Sequence, residues 1–171
     1  MTRVAGALLL ALLPAGCGYH VSGHADLLPK HVHSIAIPAF ANLTVRYKLS
    51  DRLPAALTRE FISRTRYRIV ADPNEADAVL NGAVVAYRSY PTVLDPVTSR
   101  ASGAQLAVTL NVTLRERASG AVLFTRPSME VRERYEISVD QRAYFEESDV
   151  ALERLSRQVA KELVSAILEA F

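Results

Sequence analysis

Gln105-Leu106-Ala107-Val108-Thr109-Leu110-Asn111-Val112-Thr113-Leu114-Arg115 alternates almost without fault. Leu106, Val108, Leu110, Val112 and Leu114 fall on one side. Gln105, Thr109, Asn111, Thr113 and Arg115 fall on the other, with Ala107 its only apolar member. A period of two is the signature of a half-buried strand, dry on one face and wet on the other. Such a strand belongs to an antiparallel sheet that is covered on one side. Whatever else folds must supply the cover.

Working outward, Ala118-Ser119-Gly120 reads as a tight hairpin turn. Ala121 to about Val139 is the return strand, interrupted at Pro127, a position that suits a bulge. Its second half sets Met129, Val131, Tyr135 and Ile137 against Glu130, Arg132, Arg134 and Glu136, and Glu133 breaks the apolar side. Asp140 to Glu147 reads as a polar connection. A helix from about Ser148 to Ala170 then carries Leu152, Leu155, Val159, Leu163 and Ile167 as an apolar stripe. Glu153, Arg157 and Lys161 form an exposed ladder at spacing four.

Upstream, Ser89 to Gly103 holds Pro91, Pro96, Ser99, Ser102 and Gly103 and reads as a long loop. Ala78 to Tyr90 is a strand rich in Val and Ala, preceded by a turn over 72–77 and a short strand at Tyr67–Val70. A helix from about Tyr47 to Arg64 repeats Leu49, Leu53, Leu57 and Phe61 every fourth residue. Ser50 is its candidate cap, and Pro54 calls for a first-turn position or a kink. Ser34 to Phe40 is the first strand. The order strand, helix, strands, helix predicts an α+β two-layer sandwich: a mostly antiparallel sheet of four to five strands with two helices packed on one face. Two helices cover one face only, so the Gln/Thr/Asn/Arg face is left over.

The start of the chain is of another kind. Arg3 precedes an apolar run of about ten residues, far short of the roughly twenty that a membrane-spanning helix needs. The run ends in Ala15-Gly16-Cys17. This is the layout of a secretory signal, and the thiol after small residues points to bacterial lipidation at Cys17. The expected organisation is a signal peptide at 1–16, a lipidated tether at 17–33 and a single domain at 34–171. Pro14 departs from the Leu that such signals usually carry there. Gly18, in place of Asp, points to the outer membrane.

Composition agrees with a folded, anchored domain. Of 171 residues, 50% are hydrophobic and 22% charged, which excludes a disordered chain. A net charge of +2 is too weak for a nucleic-acid binder. Cys17 is the only cysteine, so no disulfide framework forms. His20, His24, His31 and His33 read as polar linker residues, since too few other ligands stand near them. No phosphate loop, nucleophile elbow or His-Glu-x-x-His motif occurs. The chain reads as a non-enzyme that needs no cofactor.

Several short motifs in order carry a family resemblance. These are Cys17-Gly18-Tyr19-His20, Ile35-Ala36-Ile37-Pro38 and Phe40-Ala41-Asn42. The Leu57–Phe61 helix, Ala76-Asp77-Ala78-Val79-Leu80-Asn81-Gly82, the alternating strand and the last helix complete the series. Together they resemble the LPS-assembly lipoproteins of the LptE family over nearly the full length. The resemblance implies two helices on one side of a sheet and an LptD-like outer-membrane β-barrel as partner, with the lipoprotein plugging its lumen. It implies a role in assembling that barrel and in delivering lipopolysaccharide to the outer leaflet. It also implies glycolipid contacts from basic residues of the long loop and of the segment before the last helix. Arg100 and Arg142 fall there, and Arg88 ends the preceding strand; guanidinium groups suit phosphorylated head groups. The alternative is a non-catalytic adaptor or pilot lipoprotein of another outer-membrane complex.

Overall fold

The computed structural model describes residues 28–45, 48–94, 96, 100–137 and 141–171, with backbone only for 141–148. The elements are β1 (Ser34–Ala36), β2 (Ala41–Asn42), α1 (Lys48–Arg64), β3 (Arg68–Val70), a 3-10 turn (Pro73–Glu75), β4 (Ala78–Leu94), β5 (Ala101–Glu116), β6 (Val122–Glu136) and α2 (Gln141–Glu169). The sheet runs β3-β1-β4-β5-β6, with β2 also paired to β4. β4, β5 and β6 are antiparallel, as the alternation requires. The pairs β1–β3, β1–β4 and β2–β4 are parallel. The sheet is therefore mixed and has six strands. The parallel side exists because α1 and the 71–77 segment act as crossovers, the connections that parallel neighbours need.

Both helices pack on the dry face. Leu49, Leu53, Leu57 and Phe61 of α1 are all buried, as are Leu152, Leu155, Val159, Leu163 and Ile167 of α2. They close one apolar core with Leu106, Val108, Leu110, Val112 and Leu114 of β5. Burying each such side chain is worth about 1.5–3 kcal/mol. The two helices are bridged at their polar margins by Lys48 to Asp149 (3.0 Å), Arg59 to Glu153 (3.3 Å) and Arg64 to Ser165 Oγ (2.7 Å). Increasing numbers match along both helices, so they run parallel.

Several boundaries differ from the sequence reading, each for a physical reason. Ser50 lies inside α1 and is buried, so it is not the cap; Pro54 also stands inside the helix, beyond the first turn. α2 starts at Gln141, because Gln141, Arg142, Ala143 and Glu146 are good helix formers and extend the helix through the expected connection. The long loop contracts to 95–100. Tyr90, Pro91, Val93 and Leu94 pair with Gln105, Ala104, Gly103 and Ala101, extending the β4–β5 ribbon. Glu133, which interrupts the apolar side of β6, is paired with Arg154 of α2 at 2.7 Å.

Three motif residues have local structural roles. Asp77 Oδ2 accepts from the backbone N–H groups of His33 and Ser34 (2.9 Å each) and from Ser34 Oγ (2.8 Å). These bonds, with the His33 backbone first, hold the Asp77 carboxyl below its ordinary pKa. Gly82 lies under the Phe40 ring, where an added Cβ would sit 2.1 Å from ring carbon; only glycine allows that approach.

Candidate interaction face

Opposite the core, β5 presents Gln105, Ala107, Thr109, Asn111, Thr113 and Arg115. None is covered by a helix; Asn111 and Arg115 are exposed and the others, apart from Ala107, half-buried. Cross-strand register builds this row into a surface. Thr113 faces Asn81 on one side and Thr125 on the other. Ala107 lies between Arg88 and Arg132, and Gln105 between Tyr90 and Arg134. Directly paired residues share a face, so the open side has two zones. In its middle, around Asn81, Thr113 and Thr125, it is small and neutral, with Arg115 beyond them at the β5–β6 turn. Nearer the β4–β5 tip it carries Arg88, Arg132 and Arg134 around Tyr90 and Gln105, with Glu130 and Glu136 on the same face, so that arginine is in excess by one.

Two bulges put those arginines there. Val84 pairs with Leu110 but Ala86 pairs with Thr109, which leaves Val85 as an extra residue in β4. Before it, Leu80 and Val84 point into the core. After it, Tyr87 joins the core margin, and Arg88 and Tyr90 turn outward. A one-residue slip reverses sidedness. In β6 Leu110 pairs with Met129 and Val112 with Arg126, so Pro127 and Ser128 together oppose Asn111. Ser128 takes a left-handed backbone (φ 52), and its N–H donates to Asn111 Oδ1 at 2.9 Å. Beyond that bulge Arg132 and Arg134 share the open face with Arg88.

The electrostatics of the cationic zone are partly internal. Arg132 Nε donates to Glu130 Oε1 at 2.6 Å. That bond, then the Glu130 charge and Tyr90, raise the Arg132 pKa above its usual value, fixing the charge. Tyr90 Oη donates to Gln105 Oε1 at 3.2 Å.

Of the residues singled out from sequence, Arg88 stands on this face. Arg100 is exposed just before β5, at the tip of the same ribbon. Arg142 lies in the first turn of α2, in the opposite layer. The three thus share one end of the molecule but not one surface. Cys17, His20 and His24 lie outside the described residues. His31 pairs with Glu116, and the His33 backbone serves Asp77. Among the described residues no three His, Asp or Glu side chains gather as a metal site. Arg132 and Arg134 join Arg88 here although no motif marks them in the sequence. Their signal was the Glu130/Arg132/Arg134/Glu136 alternation, which becomes a patch only once the strands are in register.

The sequence model of the LptE, lipopolysaccharide-assembly family matches residues 32–167. The chain belongs to the LptE family. That family is non-enzymatic. Among solved structures, a protein of Xanthomonas campestris is similar at TM-score 0.57 and 15% identity, covering 85% of this chain and 89% of that one. The rare lipoprotein B of Shewanella oneidensis is similar at 0.51 and 13%, covering 78% and 94%. A Caulobacter crescentus protein described as a lipoprotein gives 0.52 and 13%, covering 77% and 89%. At these identities the likeness is one of fold. No curated protein matches the sequence.

Proposed function

We propose that this LptE-family chain is an outer-membrane lipoprotein, acylated at Cys17, that assists assembly of an LptD-like β-barrel, plugs its lumen and supports lipopolysaccharide delivery to the outer leaflet. One observation carries the reading: a full sheet face left without apolar cover, polar along its length, with Arg88, Arg132 and Arg134 grouped near the β4–β5 tip. The interior of a large barrel is polar, so such a face loses little on being enclosed. Small side chains in the neutral zone allow close approach of a wall. Arg88, Arg132 and Arg134 offer bidentate donors to phosphorylated glycolipid, and Arg100 and Arg142 stand at the same end.

Affinity purification of the tagged protein from detergent-solubilised outer membrane tests this. An LptD-like barrel should co-purify, and depletion should leave that barrel misassembled and cells permeable to large antibiotics. The triple change Arg88→Glu, Arg132→Glu, Arg134→Glu should reduce lipopolysaccharide retention at least tenfold. Recovery of a secretin without a barrel would replace this reading by the pilot-lipoprotein one.

A further inference from the structure

The end of the domain opposite the β4–β5 tip is where the chain from Cys17 enters, and four segments meet there. Leu28 and Val32 are buried, and the Leu28 N–H donates to Tyr67 Oη at 3.2 Å. The Arg68 N–H donates to the His33 carbonyl, and the Arg117 N–H to that of Asp77. His31 pairs with Glu116. The stretches 28–34, 65–68, 76–77 and 115–121 therefore form one surface.

Its charge is mainly positive. Lys30, Arg66, Arg68, Arg115 and Arg117 are all exposed, whereas Asp77 and Glu116, the acidic members of these stretches, are half-buried; two exposed carboxylates, Asp72 and Glu75, stand on the 3-10 turn that leads into Ala76. Asp77 and Glu116 already have partners: Asp77 accepts from His33 and Ser34, and Glu116 pairs with Ser119 and His31. Arg115 donates to the Gly120 carbonyl and Arg117 to that of Ala76, and neither has an acidic partner among the described residues. Lys30, Arg66 and Arg68 have no acidic partner among the described residues.

We infer that this basic end is a docking surface for anionic phospholipid head groups, so that the domain stands end-on above its anchor. The inference rests on acylation at Cys17 and goes beyond barrel partnership. Chain length supports it. From Cys17 to Leu28 the chain extends to roughly 40 Å at most, whereas β4 alone is about 55 Å long. An anchor at this end brings the five cations within reach of the surface and leaves the β4–β5 tip distant. Each exposed Lys or Arg near an anionic surface is drawn to it by screened Coulomb attraction.

The test uses the full acylated chain in vesicles that contain no barrel. Ala118→Cys at the basic end and Leu94→Cys at the tip each add one thiol for a donor dye, since Cys17 is acylated. Acceptor-labelled lipid is placed in phosphatidylglycerol or phosphatidylcholine vesicles. Energy transfer should be at least twofold stronger from position 118 than from 94 in phosphatidylglycerol. The difference should shrink with phosphatidylcholine, with high salt, and in K30Q/R66Q/R68Q, whose circular dichroism should match the parent. Equal transfer from both positions, or a difference indifferent to salt and to the triple change, overturns the docking surface while leaving the barrel reading intact. Protein that fails to float with the vesicles overturns the anchor and the docking surface together.

Discussion

The two faces of β5 come from alternate residues of one strand, yet they answer to different rules. On the helix side Leu106, Val108, Leu110, Val112 and Leu114 are no more than 2% exposed. There, shape and volume decide everything. On the other side Gln105, Thr109, Asn111 and Thr113 touch no helix, and the side chains that matter do so through charge and register. Stability resides on one face, and the partner proposed above would meet the other. The two can therefore be perturbed separately.

The separation is tested most severely from the core side. Leu110→Ala should lower unfolding free energy by about 2–5 kcal/mol, read as a shift in urea midpoint. An equally large effect from Thr109→Ala would destroy the distinction. Gly82→Ala should cost about 1–3 kcal/mol, because the new methyl meets the Phe40 ring. Combining it with Phe40→Leu should recover part of that loss if the ring is the obstacle. Asn111→Ala removes the acceptor of the Ser128 N–H and should cost about 1 kcal/mol, with Ser128→Gly easing the left-handed backbone.

Acid sharpens the contrast on a third site. The Asp77 carboxyl is held below its unfolded value of 3.8 by the His33 and Ser34 bonds. Its contribution is fully present above that value and is lost as pH falls through the lower folded value, when the unfolded state takes up the proton first. Stability should thus drop below about pH 4, and Asp77→Asn should flatten that limb. Unchanged acid curves would show that the bonds do not differ between folded and unfolded chains. At the small end, Thr109→Ala should change stability by no more than about 0.5 kcal/mol in thermal melts.

The core face of this fold was legible from sequence because a period of two and a period of four each repeat long enough to be unambiguous. Leu49, Leu53, Leu57 and Phe61 needed no structure to be placed. The parallel side of the sheet was not legible. β1 and β3 are each three residues long, too short to show a period, and direction depends on crossovers. The candidate face was half legible. Its neutral row follows from β5 alone, but the arginine group depends on two bulges. Val85 and Pro127–Ser128 shift sidedness in β4 and β6, and only Pro127 gave a hint. Arg88 stands out by its place at the end of a strand, whereas Arg132 and Arg134 do not, because alternation alone does not say which strand lies beside which.

Val85 has a consequence for the history of the sequence. Loss of that single codon would leave Ala86 opposite Thr109 and Arg88 opposite Ala107, so both faces would keep their residues and only the local kink would go. A second loss has no spare residue left to absorb it and would send Arg88 and Tyr90 toward the oily interior and Tyr87 toward water. Relatives are therefore expected to differ here by one residue in length, but not by two.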